Sequence, residues 1–147
     1  MVNLYKNVEP RIFRPKHPEK YVGDVNNIVA RSGLELRYMN YFDSNPNIKR
    51  WMSEEIYIPY ISPVDGKRHR YFVDLMVETI DGKVFAIEIK PNSKKFPPKQ
   101  GKNKKRYLME CVEYAINQAK WAAAEKYFSE KGIQFIVVGE KEISTKW

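Results

Sequence analysis

Leu34, Tyr38, Tyr41 and Phe42 recur at helical spacing, which predicts a helix over Ser32 to Asp43, closed by Asn45-Pro46-Asn47. Alternation then takes over. Glu54 to Ile61 reads as a strand, with Pro59 suited to an edge or end position. Pro63-Val64-Asp65-Gly66 is a turn, Arg68 to Thr79 a second strand, Asp81-Gly82 another turn, and Lys83 to Lys90 a third strand stopped by Pro91. Tyr107 to Lys131 reads as a long helix. Leu108, Val112, Ala115, Ala119 and Ala122 form one stripe on it, and Tyr107, Tyr114, Trp121 and Phe128 recur every seven residues beside it. Together the stripes predict a wide buried face, with Gly132 as a candidate C-cap. Gln134 to Val138 is a final strand. The predicted order is α-β-β-β-α-β, an α/β fold without internal repeat. Ahead of it, the chain to about Gly23 is basic and interrupted by Pro10, Pro15 and Pro18. This reads as an extended arm over 1–23, with a single domain over 24–147. Arg11, Arg14, Lys16 and Lys20 of the arm either touch a polyanion or form a solvated tail.

Two of the apolar runs contain charges. Asp74 lies in Tyr71-Phe72-Val73-Asp74-Leu75-Met76-Val77, and Glu88 and Lys90 lie in Val84-Phe85-Ala86-Ile87-Glu88-Ile89-Lys90. Such groups are costly inside strands unless paired or bound to metal. The Asp81-Gly82 hairpin has two plausible registers. A two-residue loop pairs Ile80 with Lys83 and turns Asp74 away from Glu88. A three-residue loop, with Gly82 left-handed, puts Val73, Leu75 and Val77 on the face of Ile89, Ile87 and Phe85. Asp74 then stands opposite Glu88, with Lys90 on the same face. Hydrophobic burial favours the second register without reference to any chemistry.

At 147 residues, with 43% hydrophobic and 14% aromatic content, the chain is one domain able to bury a core. No apolar run reaches membrane-spanning length, and Met1-Val2-Asn3-Leu4-Tyr5-Lys6 lacks the apolar core of a signal peptide. Cys111 is the only cysteine, which excludes an internal disulfide and a thiolate zinc site and suggests a cytosolic protein. The net charge of +8 points to a polyanionic partner. Most of it sits in one segment with no acidic residue: Lys94, Lys95, Lys99, Lys102, Lys104, Lys105 and Arg106. Pro97, Pro98 and Gly101 make that segment a loop, and its start four residues after Lys90 makes it a candidate DNA-backbone grip.

Carboxylates with a lysine at this spacing suit Mg²⁺-dependent phosphodiester hydrolysis, with Mn²⁺ as the alternative ion. Asp74 and Glu88 are candidate metal ligands, joined by the Ile89 carbonyl. Glu35 completes the shell, organises it or holds a second ion. Lys90 is placed to orient water or to stabilise charge on the phosphate. Ser32-x-x-Glu35 is equally a helix capping box, so Glu35 carries two readings. Gln118 neighbours the aromatic row of the long helix. It is either an assistant to Lys90 or the phosphate, or a polar surface residue. His17 and His69 lack metal-ligand spacing with each other, and no Gly-rich phosphate loop or HExxH motif is present.

Glu35, Asp74 and Glu88-Ile89-Lys90 on this element order resemble the PD-(D/E)xK nuclease superfamily, with Val73 where the motif name has proline. Arg31-Ser32-x-x-Glu35 and the tail from Ala119-Lys120-Trp121 to Val137-Val138-Gly139-Glu140 are similar to the TnsA-type transposon endonucleases. Ile58-Pro59-Tyr60-Ile61-Ser62-Pro63-Val64-Asp65-Gly66-Lys67-Arg68-His69-Arg70-Tyr71-Phe72 resembles the head completion nucleases of T4-like phages. The resemblance implies a restriction-endonuclease-like αβββαβ core, a central mixed β-sheet flanked by helices. It further implies Mg²⁺-dependent DNA cleavage with Glu35, Asp74, Glu88 and Lys90 as the catalytic set. Phage head, portal or neck proteins become the expected partners, and the virion head-neck region or the host cytoplasm the expected place. Two other readings stay open: an inactive fold serving as a structural DNA clamp or plug, and a transposase- or resolvase-type nuclease.

Overall fold

A computed structural model describes residues 10–143 and Trp147. Two short strands, β1 (Arg11–Ile12) and β2 (Val29–Ala30), pair antiparallel ahead of helix α1 (Gly33–Ser44). There follow β3 (Ile48–Ser53), a hairpin of β4 (Tyr57–Ile61) and β5 (Arg68–Phe72), then β6 (Leu75–Thr79) and β7 (Val84–Ile89). Helix α2 (Lys104–Ser129) crosses over to β8 (Gln134–Val138). The central sheet has the order β3-β6-β7-β8, antiparallel except for the parallel β7/β8 pair. The expected mixed sheet flanked by helices is therefore present.

The sheet is buried on both faces. Leu75, Val77, Ile87, Ile89, Ile136 and Val138 point to α1 and pack with Leu34, Tyr38, Met39, Phe42 and Trp51. Met76 and Ala86 point the other way, into a second cluster with Ala124 and Phe128 of α2 and Ile58, Tyr60 and Tyr71 of the hairpin. The β4–β5 hairpin forms its own two-stranded sheet and fills the layer beside α2. No helix among the described residues is long and apolar enough to cross a membrane.

Four expectations change. The first core strand is β3, not the Glu54–Ile61 segment, which forms the hairpin. A bulge between Ile48 and Arg50 hides β3 from a period-two reading, because Ile48 and Trp51 both go inward across it. The strand expected over Arg68 to Thr79 is two strands. At Val73-Asp74 the chain leaves β4 for β3 and β7, so Tyr71 and Val73 face α2 while Leu75 and Val77 face α1. The stripe Leu108-Val112-Ala115-Ala119-Ala122 is not a buried face: Leu108 is 62% exposed and Val112 46%. The inward row of α2 runs through Asn117, Ala124 and Phe128, its second half. Finally, residues 10–23 are not an extended arm. Phe13 and Tyr21 edge against Trp51 in the core, and the Lys20 ammonium donates to the carbonyls of Phe42, Asp43 and Asn45 at the end of α1. Lys20 is thereby committed to a helix end, and burial lowers its pKa. The earlier part of the arm lies outside the described residues.

Candidate active site

The register that brings the charges together is the one burial favoured. Gly82 has φ 88°, and the Thr79 N–H donates to the Lys83 carbonyl at 2.9 Å, closing a three-residue loop. Leu75 pairs with Ile87 and Val77 with Phe85. The same register continued by one residue sets Asp74, at the bend before β6, opposite Glu88. Asp74 Oδ2 accepts the Ile89 N–H at 2.8 Å, which ties the bend to the end of β7.

Glu88 is only 5% exposed and lies on the α2 side of the sheet. Its Oε2 accepts a hydrogen bond from the Tyr71 hydroxyl and another from Trp121 Nε1 at 3.1 Å. Neither donor was among the residues the sequence singled out for the site. Both read as core aromatics, although a Trp at the middle of a buried row needs an acceptor for its N–H. Lys120 adds a cation over the Tyr71 and Tyr60 rings, at 5.6 and 5.8 Å. Tyr71 is held protonated by burial and by the Glu88 charge, so it remains a donor.

Burial, and then the charge of Glu88, hold the Asp74 carboxyl well above its ordinary value. Glu35 is also raised, chiefly by burial and further by Glu54, against the opposing pull of Arg31. Its Oε2 accepts the Arg31 N–H at 3.1 Å, while Ser32 Oγ caps the Glu35 N–H at 3.1 Å. That is half of a capping box, with the return bond made one residue early. Arg31 in turn holds Glu54 through two bonds of 2.7 and 3.2 Å. Glu54 has φ 53°, an uncommon conformation for a residue with a side chain, and its N–H donates to the Asp74 carbonyl at 3.2 Å. Glu54 and Arg31 thus brace the bend that carries Asp74.

Among the described residues no group of three or more Asp, Glu, His or Cys side chains is placed to hold a metal ion. Glu35 senses the charge of Glu88, but its carboxylate is bound to the Arg31 backbone and does not close a cage with the other two. The donor set is the pair Asp74 and Glu88. No Lys or Arg side chain pairs with either carboxylate among the described residues. Burial and the Glu88 charge oppose ionisation of Asp74, and a divalent ion that keeps most of its waters would relieve that opposition, so the pair fits such an ion.

Lys90 continues β7 by donating its N–H to Val138, and by alternation it shares the face of Glu88. Its ammonium makes no ion pair among the described residues. Gly139 permits this path: a Cβ there would lie 2.8 Å from the Lys90 carbonyl and 2.3 Å from Asn92 Oδ1. Gln118 is exposed on α2, and Trp121, three residues on, bonds Glu88. The basic segment is partly neutralised from outside. Lys94 pairs with Glu113, Lys95 with Glu142 and Arg106 with Glu110, while Lys99, Lys102, Lys104 and Lys105 have no such partner among the described residues. Lys104, Lys105 and Arg106 belong to the first turn of α2 rather than to a loop, and that turn contains no acidic residue.

Residues 45–140 match the family model of the TnsA-like endonuclease N-terminal domain. That span includes Asp74, Glu88 and Lys90 and leaves Glu35 outside. The chain is also 37% identical over 131 residues to the head completion nuclease of Enterobacteria phage T4, covering 86% of this chain and 87% of that protein.

Proposed function

The chain belongs to the family of TnsA-like endonuclease N-terminal domains, and from that premise we propose that it is a Mg²⁺-dependent DNA endonuclease acting in phage head completion. The observation that carries the reading is the pair of buried Glu88 and half-buried Asp74, set opposite each other with Lys90 on the same face. Asp74, Glu88 and the Ile89 carbonyl would hold the ion, with Mn²⁺ an acceptable substitute, and Glu35 would organise the bend behind them. When bound, the ion supplies Lewis acidity to the phosphodiester and lowers the pKa of water.

The side chains do the rest. Tyr71 and Trp121 fix the Glu88 carboxylate by two hydrogen bonds, so its orientation is set before substrate arrives. The Ile89 N–H fixes Asp74 in the same way. Lys90, with no competing carboxylate among the described residues, orients the attacking water and donates to charge growing on the phosphate oxygens. One P–O bond forms to water and one ester P–O bond breaks, without a covalent enzyme intermediate. The unpaired lysines Lys99, Lys102, Lys104 and Lys105, gathered at a helix N-terminus, suit the duplex backbone and would make binding salt-dependent. Portal or neck proteins would be the assembly partners, and head-tail joining the step served.

Supercoiled plasmid nicking tests the reading, with wild type and Lys90→Ala in Mg²⁺ and in EDTA. Nicking that requires the ion and falls on the order of 10²–10⁴-fold in the variant is expected. Folded wild type that binds DNA yet never nicks it, alone or with phage heads, would replace the endonuclease with a structural clamp.

A further inference from the structure

The outward face of the β4–β5 hairpin plays no part in the site described above. Ile58, Tyr60 and Tyr71 of the ribbon turn inward, so Tyr57, Pro59, Ile61, Arg68, Arg70 and Phe72 turn outward. Tyr57 and Phe72 are cross-strand partners with ring centroids 5.4 Å apart, and they stay 49% and 44% exposed. The Arg70 guanidinium lies over both rings, 5.4 Å from the first and 5.8 Å from the second. Neither Arg68 nor Arg70 has a carboxylate partner among the described residues. The one acid of the adjoining turn, Asp65, is taken up by the Lys67 N–H and the His69 ring. A concavity of about 400 Å³ opens here, lined by Tyr57, Pro59, Arg68, His69 and Arg70.

Uncompensated arginines beside half-exposed aromatic rings match a ligand that offers both negative charge and flat π faces. A DNA duplex offers phosphates but hides its base faces in the stack. A single strand offers both at once. We propose that the outward face of this hairpin is a platform for single-stranded DNA, with bases stacking on Tyr57, Phe72 and the Arg70 guanidinium and phosphates held by Arg68 and Arg70. The proposal rests on the endonuclease reading. It also fixes where the strand lies relative to the chemistry. Phe72 is two residues before Asp74, and Arg70 precedes Tyr71, whose hydroxyl reaches Glu88 from the opposite face of the same ribbon. The platform therefore holds DNA flanking the cleaved bond, not the bond itself. An unpaired end or gap beside a duplex is the substrate class this arrangement selects.

Fluorescence anisotropy in EDTA, where nothing is cut, tests it with a labelled oligothymidylate and a blunt duplex of equal length. The proteins are wild type, Tyr57→Ala/Phe72→Ala, Arg70→Ala and Arg70→Lys, each checked for folding by circular dichroism. The aromatic double variant is expected to bind the single strand roughly 5- to 100-fold more weakly and the duplex nearly unchanged. Arg70→Ala should also flatten the salt dependence by about one phosphate contact, while Arg70→Lys keeps that slope and loses affinity. Wild-type affinity for the single strand in the folded double variant would overturn the platform and leave the endonuclease reading intact. Equal loss on both DNAs would overturn the preference for single strands. Wild type that binds neither DNA and nicks nothing would remove the endonuclease reading and the platform with it.

Discussion

The two faces of the central sheet are built differently. Against α1 the sheet meets Leu34, Tyr38, Met39 and Phe42, all at 0% exposure, with Trp51 at 1%. Against α2 the inward row carries Glu88, bound by Tyr71 and Trp121, with Asp74 beside it and Lys120 over the tyrosine rings. Apolar burial of the first kind stabilises by roughly 1.5–3 kcal/mol for each large side chain. Asp74 beside Glu88 does the reverse, since burial and the Glu88 charge both oppose its ionised form. Both faces bury apolar side chains, and the α1 face buries little else. The other carries groups the fold would be more stable without, the usual mark of a functional site.

Crossed substitutions test that division most severely. Phe42→Ala should cost about 3–5 kcal/mol in urea unfolding, a large share of a typical domain's stability, while activity per folded molecule is retained. Lys90→Ala should do the opposite: a drop in cleavage on the order of 10²–10⁴-fold with stability changed by less than about 0.5 kcal/mol. If both variants lose stability and activity together, the two faces are not separable.

Asp74→Asn comes next in size. An asparagine can accept the Ile89 N–H and donate to Glu88, reproducing the neutral acid without the ionisation penalty. The metal-free variant should unfold about 1 kcal/mol later than wild type and be inert in cleavage. The pH dependence follows from the same group. Its folded pKa is raised, so stability from the neutral acid is fully present below the unfolded value near 4. As pH rises, the unfolded chain ionises first, and stability falls until the folded pKa is passed; Glu35 contributes with the same sign. The wild-type-minus-Asn difference in urea midpoint, in EDTA, should therefore shift in favour of wild type at pH 5 relative to pH 7.5. Parallel profiles would remove Asp74 from the account. Trp121→Phe is the mildest test. It keeps the packing and removes one donor to Glu88, for about 1 kcal/mol of stability and a modest loss of rate.

The sequence made the pairing of β6 with β7 legible because alternation and one left-handed glycine leave a single good register. That pairing alone placed Asp74 against Glu88. Less was legible where local pattern and tertiary path diverge. The bulge in β3 destroys its alternation. The half-turn at Asp74 preserves alternation while changing the buried face, so two strands look like one. The exposed apolar stripe of α2 has the same spacing as a buried one. Tyr71 and Trp121 reach Glu88 from 17 and 33 residues away, a proximity no local spacing encodes.

The most direct test is the unfolding temperature of wild type and Asp74→Asn as Mg²⁺ is titrated at pH 7.5. Ion binding to the folded pair should raise the wild-type value with concentration, while the Asn variant starts higher and stays nearly flat. A wild-type protein indifferent to Mg²⁺, or a variant that gains as much as wild type, would contradict a metal site built on Asp74 and Glu88.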